Sequence, residues 1–444
     1  MPYIPNTDAN RREMFDSLGV RDASELFESI PDAILLNRAL DLPGPLNEVE
    51  LRRHAESAAT RSADLKTYTC FLGAGIYDHY IPSTVSAITG RSEFYTSYTP
   101  YQSEISQGTL QSIFEFQTLI CQLTGMEVAN ASMYDGATAL AEAALMAASI
   151  TGRREWVVSK AVHPSYRETM KTYAWASGCK LVETTVSGIE TDLADLESFV
   201  TENVACVAVQ SPNFLGAVEE LEKVERIAHK SGSLFVICFE PISLGILKPP
   251  ADFNADICVG EGQSLGIVPG FGGPLLGLMA CKKQFVRQMP GRLVGATVDA
   301  KGRQSYTLTL QTREQHIRRE RATSNICTNE ALNALAATVY LATLGKQGLH
   351  HVADLCLQKA HYAADAISRL PGFEVPFGSA FVKEFVVRCE EPVGNINERL
   401  LSRKIIGGLD LGKFYADLAG HMLVCVTEKR TREEIDALVE CLAQ

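Results

Sequence analysis

The 444-residue chain is short of several things that mark common functional classes. Its longest uncharged stretch, Gly262 to Cys281, is broken by prolines and glycines and makes a poor membrane span. Positive charge is in deficit: the formal net charge of −12 argues against nucleic acid as the main partner. The opening Met1 to Asp8 has neither a basic n-region nor an apolar h-region, so no secretory signal is visible. Twelve cysteines are present without a single C-x-x-C pair. Six of them (Cys206, Cys238, Cys258, Cys281, Cys389, Cys425) sit in apolar, strand-like runs, the pattern of reduced, buried thiols in a reducing compartment. No Walker A loop occurs, and Gly73-Ala-Gly75 lacks the third glycine of a dinucleotide fingerprint and any clear preceding strand. His350-His351 points to opposite faces of a helix, so no metal site is expected there. These absences leave a soluble cytoplasmic protein, with 46% hydrophobic and 21% charged residues, able to bury a large core.

What is present divides into three stretches. Residues 1–67 read as short helices behind Asp8, Asp22 and Asn47, the last carrying Leu51, His54 and Ala58 on one face: a helical arm. Residues 68–328 form the large part. Within it apolar runs at Trp156–Val158, Leu181–Val186, Val204–Val209, Leu234–Phe239, Ile257–Val259 and Leu275–Ala280 alternate with helical periodicity. One helix is expected from Pro164 and another from Val218 to Lys230, closed by Gly232. Such alternation predicts a mainly parallel sheet covered on both faces, with ligands at the carboxyl ends of its strands. Residues 329–444 read as a small α/β domain: a long helix from Asn329 to Leu370, strands at Phe381–Val387 and Met422–Thr427, and a helix from Thr431 to Ala443.

The loops after those strands hold the chemistry-bearing residues. After Ile257–Val259 comes a glycine-rich loop containing Gln263, and no lysine lies between Lys248 and Lys282. In pyridoxal-phosphate enzymes of the aminotransferase type this loop carries the Schiff-base lysine, because only a deprotonatable primary amine can hold the aldehyde as an imine. Glu240 ends the Leu234–Phe239 run, where such enzymes place an aspartate against the pyridine nitrogen. Ser132 to Glu142 is a small-residue turn opening an Ala-rich helix. Its start at Gly136 and Thr138 suits either a phosphate or a plain capped helix. His163, before Pro164, offers either a ring to stack on a planar cofactor or, the better supported choice, a hydrogen-bonded structural residue.

Two further segments carry unneutralised polar groups. Tyr98, Tyr101, Gln102, Glu104 and Gln107 cluster around Pro100, a density of polar and aromatic groups typical of a site or interface. Between Lys282 and Arg321 ten Lys or Arg residues face three acidic ones, with Arg313, Arg318 and Arg319 at the centre. In an acidic chain this patch serves either to dock an anionic partner or as a solvated helix face.

Together these segments resemble one family, the P protein of the glycine cleavage system, glycine dehydrogenase (decarboxylating), and most closely subunit 1, the alpha chain of its two-subunit form. The carrying motifs are Phe71 to Pro82, Tyr98 to Gln111, Asn130 to Glu142, Phe271-Gly-Gly-Pro274 and Gln311 to Arg319, with Tyr3-Ile-Pro-Asn-Thr7 in support. The resemblance implies an aminotransferase-like α/β fold, pyridoxal-phosphate fold type I. It implies that glycine is decarboxylated and the aminomethyl group passed to the lipoyl arm of H protein. It implies that the cofactor lysine belongs to subunit 2, so that Gln263 is an expected feature and Gly136, Thr138, His163 and Glu240 are vestiges of a cofactor site. By the same resemblance Tyr98 to Gln107 shapes a shared site or the lipoyl passage, and Arg313, Arg318 and Arg319 help dock H protein. A purely structural scaffold, and an autonomous pyridoxal-phosphate enzyme using another lysine, are the alternatives.

Overall fold

The computed structural model describes residues 6–36, 38–322 and 324–444. The Tyr3-Ile-Pro5 part of the opening motif lies outside the described residues. The chain divides into two compact units, Met1–Ala63 and Asp64–Gln444.

In the first unit the helices are made by their caps. The Thr7 side chain accepts from the Asn10 N–H and begins Asp8–Leu18, which Gly19 stops in the left-handed region (φ 72°). Asn47 and Glu50 form a reciprocal capping box at the head of Glu48–Ala59. The expected helix behind Asp22 is a short 3-10 turn, Ala23–Phe27. No described residue of this unit is buried, so Leu51, His54 and Ala58 share a face without covering a core. Local capping holds these helices where hydrophobic burial does not.

The second unit is built on a seven-stranded sheet. Its spatial order is Val128–Ala129, Gly277–Cys281, Ile257–Glu261, Leu234–Phe239, Val204–Ser211, Glu155–Ser159 and Lys180–Thr184. Only Gly277–Cys281 runs antiparallel to its neighbours. The near-continuous apolar strands follow from burial on both faces. Val207, Val209, Phe235 and Ile237 pack into one core, while Cys206, Ala208, Val236 and Cys238 on the alternate positions pack into the other. Helices Gln107–Thr124, Leu221–Lys230 and part of Ala331–Ile367 cover the first face; Gly136–Thr151 and Pro164–Ser177 cover the second. Among the described residues no helix is long and apolar enough to cross a membrane.

The C-terminal part carries a four-stranded sheet in the order Phe373–Glu374, Glu384–Cys389, His421–Cys425, Leu409–Asp410. Arg432–Leu442 packs on it. Three details differ from the sequence reading. A short strand, Thr69–Cys70, does precede Gly73, and it pairs with Ile405–Ile406, more than three hundred residues away. The helix Ala331–Ile367 kinks at Gly345, whose φ of 60° only glycine adopts freely. The strand expected from Phe381 starts at Glu384, which leaves Lys383 on the bend before it.

Candidate functional site

Three strand and helix ends converge where the carboxyl edge of the large sheet meets the C-terminal sheet. Glu240 follows Leu234–Phe239, Gln263 follows Ile257–Glu261, and Lys383 and Glu384 enter from the C-terminal part. The Phe71–Pro82 segment threads between them. Gln263 is 1% exposed, and its amide is fully used. Its Oε1 accepts from the Tyr77 N–H at 2.8 Å, while Nε2 donates to the Tyr77 carbonyl at 3.0 Å and the Ile267 carbonyl at 2.7 Å. An amide, with a donor and an acceptor on one carbon, can bridge both backbone groups of Tyr77; an ammonium, which only donates, cannot.

Glu240 is equally engaged. It accepts from the N–H groups of Ile242 and Ser243 and from the hydroxyls of Ser243 and Ser264. It forms an ion pair with Lys383 Nζ at 2.9 Å, both side chains being almost fully buried. Burial pushes the Glu240 carboxyl up, but the Lys383 ammonium, His79 and the Ser243 hydrogen bond together outweigh this and hold it at about 2. Burial lowers the Lys383 ammonium in turn, but Glu240 together with its other neighbours raises it on balance, so it stays charged. The same ammonium lies 3.5 Å from the Tyr77 ring centroid and 3.0 Å from His79 Nε2. Because an ammonium has only donors, Nε2 accepts and the His79 proton sits on Nδ1, which donates to Glu428 at 2.6 Å. Glu384 accepts from the Ala74 N–H at 2.7 Å and the Tyr77 hydroxyl at 2.8 Å. The space left among Tyr77, Gly216, Glu240, Ser243, Lys383 and Glu384 is about 10 Å³, room for a single water at most.

The helix start at Gly136 is occupied from within. Asp135 caps it by accepting from the Thr138 N–H at 2.7 Å. The Gly136 N–H donates to Glu261 Oε2 at 2.9 Å, and the other carboxylate oxygen accepts from Gln263 N–H and Leu276 N–H, each at 3.0 Å. A Cβ on Gly136 would meet the Tyr166 hydroxyl at 2.5 Å. Burial pushes Glu261 up to about 7 against the pull of its three N–H donors. His163 caps its own helix by accepting from the Ser165 N–H, and its Nε2–H donates to the Ala74 carbonyl at 3.1 Å. Its ring stacks on Tyr166 at 4.8 Å, and burial pushes it down to about 4.

The residues here do not fit pyridoxal phosphate. The space beside Glu240 is filled by Lys383 and Tyr77, the Gly136 N–H is taken by Glu261, and the Gln263 amide is bonded on both sides. His79, Cys356 and Glu428 also lie within 4.8 Å of one another. His79 and Glu428 are already hydrogen-bonded and burial raises the Cys356 thiol, so this is a hydrogen-bonded group.

The other expected residues lie elsewhere. Tyr98 is 76% exposed and Gln102 and Glu104 are exposed, while Gln107 is tied to both backbone groups of Tyr306. Tyr101 leans on the Arg292 guanidinium, 5.4 Å from the ring centroid. Arg318 and Arg319 are exposed. Arg313 is not: it is buried, and its guanidinium donates to the Met289 and Gly291 carbonyls, which takes it out of any docking surface. Sequence reasoning passed over Tyr77, His79, Glu261, Lys383, Glu384 and Glu428. A signal existed for two of them, since Lys383-Glu384 is a charged pair inside the apolar run Phe381 to Val387.

Comparison with known proteins places this geometry. The sequence model of the family described as "Glycine cleavage system P-protein" matches residues 1–442. A probable glycine dehydrogenase (decarboxylating) subunit 1 from Desulforamulus reducens is 55% identical over 438 residues, covering 99% of this chain and 98% of the relative. The crystal structure of a glycine decarboxylase (P-protein) of the glycine cleavage system, in inhibitor-bound form, superposes with a TM-score of 0.92 at 43% identity, covering 100% of this chain and 99% of that one. The cysteine desulfurase CsdA from Escherichia coli shares the fold at 16% identity and a TM-score of 0.62, over 87% of this chain and 97% of its own. The architecture is that of pyridoxal-phosphate fold type I.

Proposed function

This chain belongs to the glycine cleavage system P-protein family, and on that footing we propose that it works as subunit 1, the alpha chain, of a two-subunit glycine dehydrogenase (decarboxylating). The observation that carries the reading is Gln263, which stands where the cofactor lysine would be and is locked to Tyr77 by a donor and an acceptor that no lysine could supply together. Pyridoxal phosphate is then held by the partner, subunit 2, and supplies there the electron sink for glycine decarboxylation. The aminomethyl group passes to the lipoyl arm of H protein. This chain contributes the exposed Tyr98, Tyr101, Gln102 and Glu104 to the shared site or the lipoyl passage, and Arg318 and Arg319 to docking of H protein. Its twelve free cysteines suit the cytoplasm.

The test is a visible spectrum combined with glycine–bicarbonate exchange, on the chain alone and after mixing with subunit 2 and lipoylated H protein. The chain alone is expected to show no cofactor chromophore and no exchange, and exchange in the mixture is expected to exceed that of subunit 2 by itself. A borohydride-reducible chromophore on the isolated chain would instead support an autonomous enzyme.

A role in the shared site is separated from pure scaffolding by surface variants in the assembled enzyme. Tyr101→Ala with Glu104→Ala is expected to lower exchange about tenfold without dissociating the subunits, since one lost positioning interaction is worth about 1.4 kcal/mol or more. Arg318→Glu with Arg319→Glu is expected to raise the H-protein concentration for half-maximal exchange, chiefly at low salt. Unchanged rates in intact complexes would leave only the scaffold.

A further inference from the structure

The loss of the cofactor is over-determined. Changing one lysine to glutamine would leave a ring-sized space beside Glu240 and open N–H donors at Gly136. Neither is present. The group that meets Glu240 is cationic, as a protonated pyridine nitrogen would be, and it is the Lys383 ammonium at 2.9 Å. The group that meets the Gly136 N–H is a hydrogen-bond acceptor, as a phosphate oxygen would be, and it is the Glu261 carboxyl at 2.9 Å. Each polar end of the missing cofactor is thus replaced by a side chain of the same hydrogen-bonding role, donor for donor and acceptor for acceptor, from residues 122 positions apart. The aromatic middle is replaced by Tyr77, over which Lys383 lies.

We propose that Lys383, Glu261 and Tyr77 form an intramolecular stand-in for pyridoxal phosphate, which bars the cofactor from this chain and acts as the keystone joining the Phe71–Pro82 segment, the large sheet and the C-terminal sheet. The keystone role follows from where the bonds go. Lys383 joins Glu240 at the large-sheet edge to His79 of the threaded segment. Glu384 bonds Ala74 and Tyr77, and Glu428 bonds His79 and the Tyr80 N–H. Asp78 of the same segment pairs with Lys429 and Arg430. Nearly every donor and acceptor that would recognise the cofactor is spent on closing these elements together, and a buried site with its charges already balanced has no driving force to open. The inference deepens the reading that this chain does not hold the cofactor. It is independent of whether the assembled enzyme needs the chain, because its readouts require neither subunit 2 nor activity.

The experiment incubates the native chain with pyridoxal 5′-phosphate, reduces with borohydride and maps labelled lysines by peptide mass. Lys383 is expected to stay unlabelled while surface lysines react; labelling of Lys383 in the folded chain overturns the proposal. In a second arm, Gln263→Lys alone is expected to label at position 263 no more than a surface lysine does. Adding Lys383→Ala and Glu261→Ala is expected to raise that labelling about tenfold at limiting cofactor, roughly a 1.4 kcal/mol gain. Stoichiometric labelling of position 263 in a folded Gln263→Lys single variant overturns it equally. If the triple variant does not fold, the native-chain arm still decides.

Discussion

Lys383→Met is expected to lower the unfolding free energy by about 3–5 kcal/mol, because it leaves the Glu240 carboxylate buried with no counter-charge. The size of the effect comes from the geometry: both partners are almost fully buried, and Glu240 is held by four further donors that prefer it ionised. The pH dependence gives a sharper signature. With Lys383 in place, Glu240 sits at about 2, below the ordinary 4.5, so its contribution is complete above pH 4.5 and is lost as pH falls through about 2. Without Lys383 the burial cost is opposed only by His79 and the four hydrogen-bond donors, and the Glu240 value rises from about 2. The stabilisation that Glu240 gains by ionising in the folded chain shrinks accordingly. The gap between native chain and variant therefore widens as pH rises from about 2. Adding Glu240→Gln should recover a large part of the loss, since it removes the charge and keeps an acceptor. Urea unfolding at several pH values measures this; a variant within about 1 kcal/mol of the native chain at pH 7 would show that the pair is no keystone.

Gln263→Lys, which supplies the amine that the proposed reading finds missing, is expected to destabilise by about 3 kcal/mol or more. It leaves the Tyr77 N–H unpaired and brings an amine into a site 1% exposed, each costing roughly 1–3 kcal/mol. Burial lowers the value of such an amine below its ordinary ~10.4. A lysine whose folded value is depressed binds more protons unfolded than folded, so stability should rise with pH from neutral toward ~10. Unfolding midpoints at pH 7 and pH 9.5 test both parts. An unchanged midpoint at pH 7 would mean that the Gln263 hydrogen bonds carry little weight.

Much of the fold was legible because it rests on local patterning. Strands buried on both faces must be continuously apolar, and the runs at Val204–Val209 and Leu234–Phe239 announced themselves for that reason. Helix boundaries were legible where Pro164 opens one helix and Gly232 follows the end of another at Lys230. Direction was not: nothing local distinguishes the antiparallel Gly277–Cys281 from its parallel neighbours, since that depends on which way the Gly262–Leu276 connection returns. In the site, Gln263 and Glu240 were readable as departures from a pattern at known strand ends. The groups that close the site were not, because Lys383 approaches Glu240 from 143 positions away and Tyr77 approaches Gln263 from 186. Arg313 misled for a related reason. A run of arginines reads as one surface, yet the turn at Gln311–Arg313 aims this guanidinium inward at two carbonyls.

By itself the sequence determined the family and the α/β architecture, because each is written in residues close together: motifs and periodicities. Only the tertiary structure decided that the vacated site is closed, and by which groups. Closure needs the Lys383 ammonium, the Glu240 carboxylate and the Tyr77 ring, from three separate stretches, to meet within a few ångströms. Their mutual charge balance in a buried place exists only once the sheet edge, the Phe71–Pro82 segment and the C-terminal sheet have been brought together.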